Sequence, residues 1–212
     1  MRTKESLRGL YVITDDRLTP KESLFQSVEL ALQGGAKIVQ LRDKHSSDEE
    51  IVETIKALEQ LCRSYDALFV LNDRVELAIR LECSALHIGK SDHYRFEEIR
   101  QNFKGIVGVS CYGDLNLAQK MEAMGADYVA FGSLFASPTK PHANIIDLAL
   151  LTHAKALLNV PICVIGGIHS DNAPDLVTHY KPDMVAVISD IWTNEIQKQA
   201  QFYTNLYQGE RK

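Results

Sequence analysis

Short apolar runs alternate with amphipathic stretches along this chain, and the rhythm does not break from residue 10 to near the C-terminus. Leu10–Thr14, Lys37–Arg42, Leu68–Leu71, Ala85–Ile88, Ile106–Ser110, Tyr128–Phe131, Pro161–Ile165 and Met184–Ile188 have the length and near-continuous apolarity of strands buried on both faces. The stretches between them predict helices over Ser23–Gln33, Ser47–Tyr65, Val75–Leu81, Phe96–Phe103, Leu115–Met124, Asp147–Leu158, Asn172–Tyr180 and Trp192–Leu206. Gly34-Gly35 and Gly125 stop two of them. Ser47-Asp48-Glu49-Glu50 opens another with a cap and an acidic first turn, as the helix dipole prefers. Strands alternating with helices imply a parallel sheet. Eight such units predict an α/β fold of the (β/α)8 TIM barrel type, one domain spanning residues 1–212. The rival is a doubly wound open sheet, which does not call for eight evenly spaced units.

Polar residues punctuate the chain just after each strand. They are Thr14-Asp15, Arg42 and Lys44, Asn72-Asp73, Gly89 through Asp92, Ser110, Ser133 through Lys140, Gly166-Gly167 and Ser189. In a barrel all of them gather at the C-terminal face, where such enzymes build their sites.

The segment Val39-Gln40-Leu41-Arg42-Asp43-Lys44 is the most informative. Alternation along a strand sends Gln40, Arg42 and Lys44 to one side. Clustered cations at a strand end imply either an anionic ligand or charges that are solvated and paired with nearby acids. Gly166-Gly167 and Ser189 follow strands seven and eight, where barrels commonly hold a phosphate on backbone N–H groups; an ordinary turn is the alternative. Asp73 and Asp92 follow neighbouring strands. They either bind a hard divalent cation such as Mg2+, which takes one or two carboxylates plus phosphate oxygens, or cap the helices that follow. Ser137-Pro138-Thr139-Lys140 offers hydroxyls and an ammonium on the long loop after strand six, as a phosphate contact, a mobile lid or a solvated turn.

Other polar residues carry less. Cys111 maps near the site, yet no base accompanies it as a nucleophile would need. His87 reads as a hydrogen-bonded core residue. No Ser-His-Asp set, Walker lysine motif or Rossmann glycine fingerprint is present.

Composition narrows the class. The balance is that of a soluble globular protein, with 45% hydrophobic and 24% charged residues. A net charge of -5 argues against non-specific nucleic-acid binding, so any anion site is a local cluster. The four scattered cysteines lack a C-x-x-C pair and fit reduced thiols in a cytoplasmic protein. The charged N-terminus lacks a secretory h-region, and no apolar run approaches the roughly 20 residues of a spanning helix, so no membrane partner is expected.

In order and on successive loops, Gln40-Leu41-Arg42-Asp43-Lys44, Asn72-Asp73-Arg74, Gly89-Lys90-Ser91-Asp92, Gly108-Val109-Ser110, Ser137-Pro138-Thr139-Lys140 and Ile165-Gly166-Gly167-Ile168 resemble the thiamine-phosphate synthase family. The match runs from Gly9 to Ser189. It implies a transferase that joins a pyrimidine pyrophosphate to a thiazole phosphate, releasing pyrophosphate. By that resemblance Gln40, Arg42, Lys44 and Asn72 contact the pyrimidine diphosphate, and Asp73 and Asp92 hold Mg2+. Ser110 and Lys140 contact pyrophosphate. Ser137, Thr139, Gly167, Ile188 and Ser189 bind the thiazole phosphate. Arg42, Lys44, Ser110 and Lys140 are the expected catalytic set. The partners are small phosphorylated molecules, and the oligomeric state is left open.

Three positions depart from the family pattern: Lys90 replaces Gln, Ser137 replaces Thr, and Tyr112 replaces His. The related thiazole tautomerase-like and regulatory barrels tend to lose the two acids, and the tautomerase uses a histidine at the Tyr112 position. Both acids are kept here and that histidine is absent, which favours the synthase.

Overall fold

The computed structural model describes residues 7–136 and 144–208. Eight parallel strands, β1 (Gly9–Ile13), β2 (Ile38–Leu41), β3 (Leu68–Asn72), β4 (Ala85–Ile88), β5 (Ile106–Tyr112), β6 (Tyr128–Phe131), β7 (Ile162–Ile165) and β8 (Met184–Val187), pair in sequence order. β8 returns to β1, and the barrel is closed. The open-sheet rival is thereby excluded.

Each strand leads into a helix or turn on the outside. The helices are α1 (Leu24–Gln33), α2 (Asp48–Ser64), α3 (Val75–Arg80), α4 (Phe96–Asn102), α5 (Leu115–Ala123) and α6 (Ala149–Leu157). The next, α7, is one α-turn (Ala173–Asp175) continued by a π-turn (Leu176–Tyr180), and α8 (Ser189–Trp192) and α9 (Ile196–Gln208) end the chain. The Ser47 hydroxyl accepts from the Glu50 N–H at 3.3 Å while the Glu50 carboxylate accepts from the Ser47 N–H at 2.7 Å, the reciprocal box that starts α2.

Two expectations need correction. Residues 192–206 are not one helix. Asp190 gathers Gln199 Nε2, Tyr203 Oη and the side chain of Asn194, and the chain turns around it between α8 and α9. The predicted helix over residues 172–180 is regular for only one turn before widening, and it stops at Lys181 in the left-handed region with φ of 47°.

The strands separate two apolar layers. Tyr11, Ile38, Leu68, Val70, Ala85, Tyr128, Cys163, Met184 and Ala186 fill the barrel interior. Alternate residues such as Val12, Val39, Phe69, Leu86, Val107, Val129 and Val185 face the helices. Cys111 belongs to this outer layer: Ser110 takes the inward position and its successor points away from the site. No helix among the described residues is long and apolar enough to cross a membrane.

Candidate active site

Apolar filling stops at the C-terminal end of the barrel, where the inward positions turn polar. A cavity of about 930 Å³ opens there, within the range of small-molecule sites. Gln40, Arg42, Asn72, His87, Lys90, His93, Ser110 and Tyr112 line one side, and Ser133, Gly166, Gly167, Ile168, Ile188 and Ser189 line the other.

The structure brings Gln40, Arg42, Asn72, Ser110, Gly167, Ile188 and Ser189 to this one cavity. Lys44, Asp73 and Asp92 stand outside its lining, Lys44 and Asp73 exposed and Asp92 half-buried. Alternation ends with β2 at Leu41, and Asp43 then folds the chain into a turn by accepting from the N–H groups of His45 and Ser46 at 3.0 and 2.8 Å. Ser137, Thr139 and Lys140 lie outside the described residues.

Arg42 is set by its backbone, whose N–H donates to the buried Thr14 hydroxyl at 3.0 Å. The loop beyond it is tied down by Arg74. The Arg74 guanidinium reaches the Asp48 carboxylate at 2.6 Å and the carbonyls of Asp43 and Ser46 at 2.9 and 2.6 Å. Two nitrogens of one planar fork share these bonds, one on the carboxylate and the other on both carbonyls, a spread that the single nitrogen of a lysine lacks.

Neither Asp73 nor Asp92 caps a helix. Arg74 and Arg95 occupy the N-cap positions of α3 and α4, and neither cap has a side-chain bond. Asp73 has φ of 62° and accepts from Asn72 Nδ2 at 2.7 Å. Its other oxygen lies 3.6 Å from where a Cβ on Gly89 would sit, and the Asp92 N–H donates to the Gly89 carbonyl at 3.1 Å. The Asp73 carboxylate and the Asp92 backbone thus both adjoin Gly89. Asp92 also lies 3.3 Å from Arg95 Nε. Among the described residues no group of three or more His, Cys, Asp and Glu could cage a metal. Two hard carboxylates suit Mg2+ completed by substrate oxygens, so the donor set fits that ion.

The glycines opposite are required by packing. Gly166 and Gly167 have φ of 106° and 62°, a region that disfavours side chains. A Cβ on Gly167 would lie 2.7 Å from the Phe135 carbonyl oxygen, and one on Gly166 2.7 Å from the Ser133 Cα. The β6 loop thus rests directly on the β7 turn. In the short helix α8 the N–H groups of Ile191 and Trp192 donate to the Ile188 carbonyl at 3.2 and 3.3 Å, which leaves those of Ser189 and Asp190 as the donors suited to an anion.

The floor of the cavity holds residues the sequence did not single out. Gln40 Nε2 donates to Tyr11 Oη at 2.6 Å, Tyr11 Oη meets Tyr128 Oη at 3.0 Å, and Tyr128 Oη meets His87 Nδ1 at 2.9 Å. His87 Nε2 then meets Ser110 Oγ at 2.8 Å. Burial pushes the His87 pKa down to about 4, with repulsion from His93 adding to it, so the ring is neutral near pH 7. Burial also raises both phenols, which stay protonated. His87 is the hydrogen-bonded core residue expected, and it lines the cavity as well. His93 was also missed; it lines the cavity with its ring tilted against Tyr112, centroids 6.4 Å apart. One signal for Tyr128 was legible: Gly108 stands opposite it in the β5–β6 register, a glycine mid-strand beside an aromatic.

Comparison with known proteins agrees with this geometry. A family model described as thiamine monophosphate synthase matches residues 10–191. Thiamine-phosphate synthase from Wolinella succinogenes is 44% identical over 192 residues, covering 90% of this chain and 88% of that protein. The Thioalkalivibrio sulfidiphilus protein of the same name is 42% identical, with 90% of each chain covered. The solved structure of thiamine phosphate pyrophosphorylase from Pyrococcus furiosus superposes with a TM-score of 0.85 at 34% identity, covering 99% of both chains. A 3-hexulose-6-phosphate synthase, 18% identical with a TM-score of 0.63, shares the fold alone. With a family model spanning most of the barrel and relatives above 40% identity along nine-tenths of the sequence, this chain belongs to the thiamine monophosphate synthase family.

Proposed function

We propose that the protein joins a pyrimidine carrying a diphosphate to a thiazole phosphate, giving thiamine phosphate and pyrophosphate. The observation that carries this reading is one cavity with two anion-suited ends: Arg42, Asn72 and Ser110 on one side, Gly167 and Ser189 on the other. Two phosphorylated substrates can lie in it with their reacting atoms between those ends.

Gln40 and Asn72 orient the pyrimidine diphosphate, and Arg42 and Lys44 attract its charge. The bond from the pyrimidine methylene carbon to the diphosphate oxygen breaks with both electrons leaving on oxygen. The thiazole nitrogen then donates its lone pair to that carbon, and the positive charge stays on the new thiazolium. No proton moves, so the site needs a stabilised leaving group more than a general base. Asp73 and Asp92 would hold Mg2+, which supplies charge neutralisation for the departing pyrophosphate. Ser110 and Lys140 contact the same group. Ser137, Thr139, Gly167, Ile188 and Ser189 hold the thiazole phosphate. The apolar wall of Ile13, Ala130, Ile165 and Ile188 keeps water from the cation.

The test follows thiamine phosphate by fluorescence after oxidation, with and without a chelator. Chelation is expected to stop the reaction. Asp73→Asn and Asp92→Asn are expected to cost at least about a hundredfold in kcat while thiazole phosphate still binds. Product formation indifferent to chelator and to both variants would overturn the metal assignment. Binding of thiazole phosphate without any product would point to a tautomerase-like or regulatory barrel.

A further inference from the structure

We propose that the hydrogen-bond chain on the cavity floor has one polarity, and that Tyr128, acting through His87, turns the Ser110 hydroxyl proton outward to an oxygen of the bound diphosphate. This rests on the assignment of Ser110 to the diphosphate end of the cavity. The chain runs Gln40, Tyr11, Tyr128, His87, Ser110 and draws one side chain from each of β2, β1, β6, β4 and β5. It is sealed from solvent at its middle, with Tyr11 1% and Tyr128 0% exposed.

An amide nitrogen can only donate, and a phenol has a single proton. Tyr11 accepts from Gln40, so its own proton must go to Tyr128, the remaining partner at 3.0 Å. Tyr128 accepts that proton's bond and gives its own to His87 Nδ1. A neutral imidazole accepting at Nδ1 carries its proton on Nε2. That proton goes to Ser110 Oγ at 2.8 Å, which leaves the serine proton for the cavity. Turning one phenol alone would set two donors or two acceptors face to face in a buried place, so the chain can reverse only as a unit. Reversed, it would aim Ser110 lone pairs at an anion. The diphosphate therefore favours the same direction as the Gln40 amide. Tyr128 touches no substrate in this arrangement and is a positioning residue.

The experiment reads the tautomer first. Long-range proton–nitrogen spectra of the histidine-labelled protein, with the His87 ring assigned against a His87→Gln variant, are expected to show Nε2 protonated and Nδ1 bare. A double-mutant cycle reads the coupling. Tyr128→Phe is expected to lower kcat/KM for the diphosphate substrate about tenfold, roughly one hydrogen bond to a charged group, and to leave KM for the thiazole phosphate unchanged. In a Ser110→Ala background the same change is expected to cost less than about twofold, because its route to substrate is gone. A proton on Nδ1, or equal costs in both backgrounds, would overturn the proposal. If the wild-type protein makes no thiamine phosphate, the synthase reading fails by itself; the cycle is then read from binding of inorganic pyrophosphate, with the same two outcomes. If Tyr128→Phe does not fold, the wild-type tautomer decides alone.

Discussion

Gly108 sits mid-strand in β5, directly opposite Tyr128 in the register. An added Cβ there would fall within the van der Waals radii of Cζ, Cε1 and Oη of the Tyr128 ring. Gly108→Ala therefore cannot be absorbed without moving the ring. Overpacking of this kind costs about 1–3 kcal/mol. Displacing the ring also breaks the Tyr128 bonds to Tyr11 and His87, 3.0 and 2.9 Å long, and leaves buried polar atoms unpaired, adding roughly 2 kcal/mol. The sum is about 4 kcal/mol, a large fraction of the roughly 5–15 kcal/mol that a domain has. For a chain of this size that lowers Tm by roughly 8–16 °C. The assay is thermal unfolding of Gly108→Ala beside Gly89→Ala, where the new Cβ meets nothing closer than 3.6 Å and Tm is expected to move by no more than about 2 °C. A fall below about 3 °C for Gly108→Ala would refute the reasoning, since Tyr128 would then be free to slide and the chain of hydroxyls would not be rigid.

Two further outcomes are expected. Arg74→Ala should lower stability by about 2 kcal/mol and raise KM for the diphosphate substrate while sparing KM for the thiazole phosphate, because the guanidinium pins the loop between Asp43 and Asp48; equal changes in both KM values would count against a local role. The four cysteines are all buried, and burial pushes the Cys83 and Cys111 thiols up to about 12, so a disulfide reagent at pH 8 should modify none in the native protein and all four once unfolded; fast reaction of any native thiol would contradict their placement.

Much of this protein was decided by its sequence alone. Eight apolar runs, each followed by an amphipathic helix, leave few ways to bury both faces of a parallel sheet, and the barrel follows. The strand ends and turns that carry Asn72, Ser110, Gly166, Gly167 and Ser189 were legible because polar residues at the ends of buried strands stand out against their neighbours. Capping of α2 was equally plain, since it depends on residues three apart. Tertiary structure alone decided the rest. Which face of a wholly apolar strand looks inward carries no signal in polarity, so Tyr11 and Tyr128 looked like ordinary core and Cys111 was placed near the site. Lys44 looked like a third member of an alternating set until the Asp43 turn ended the alternation. The floor chain joins side chains from five strands, up to 117 residues apart, and its polarity exists only once barrel closure brings those strands together. Short-range pattern reports what a residue and its neighbours prefer; which hydroxyl meets which imidazole is set by register and closure, and these belong to the whole barrel.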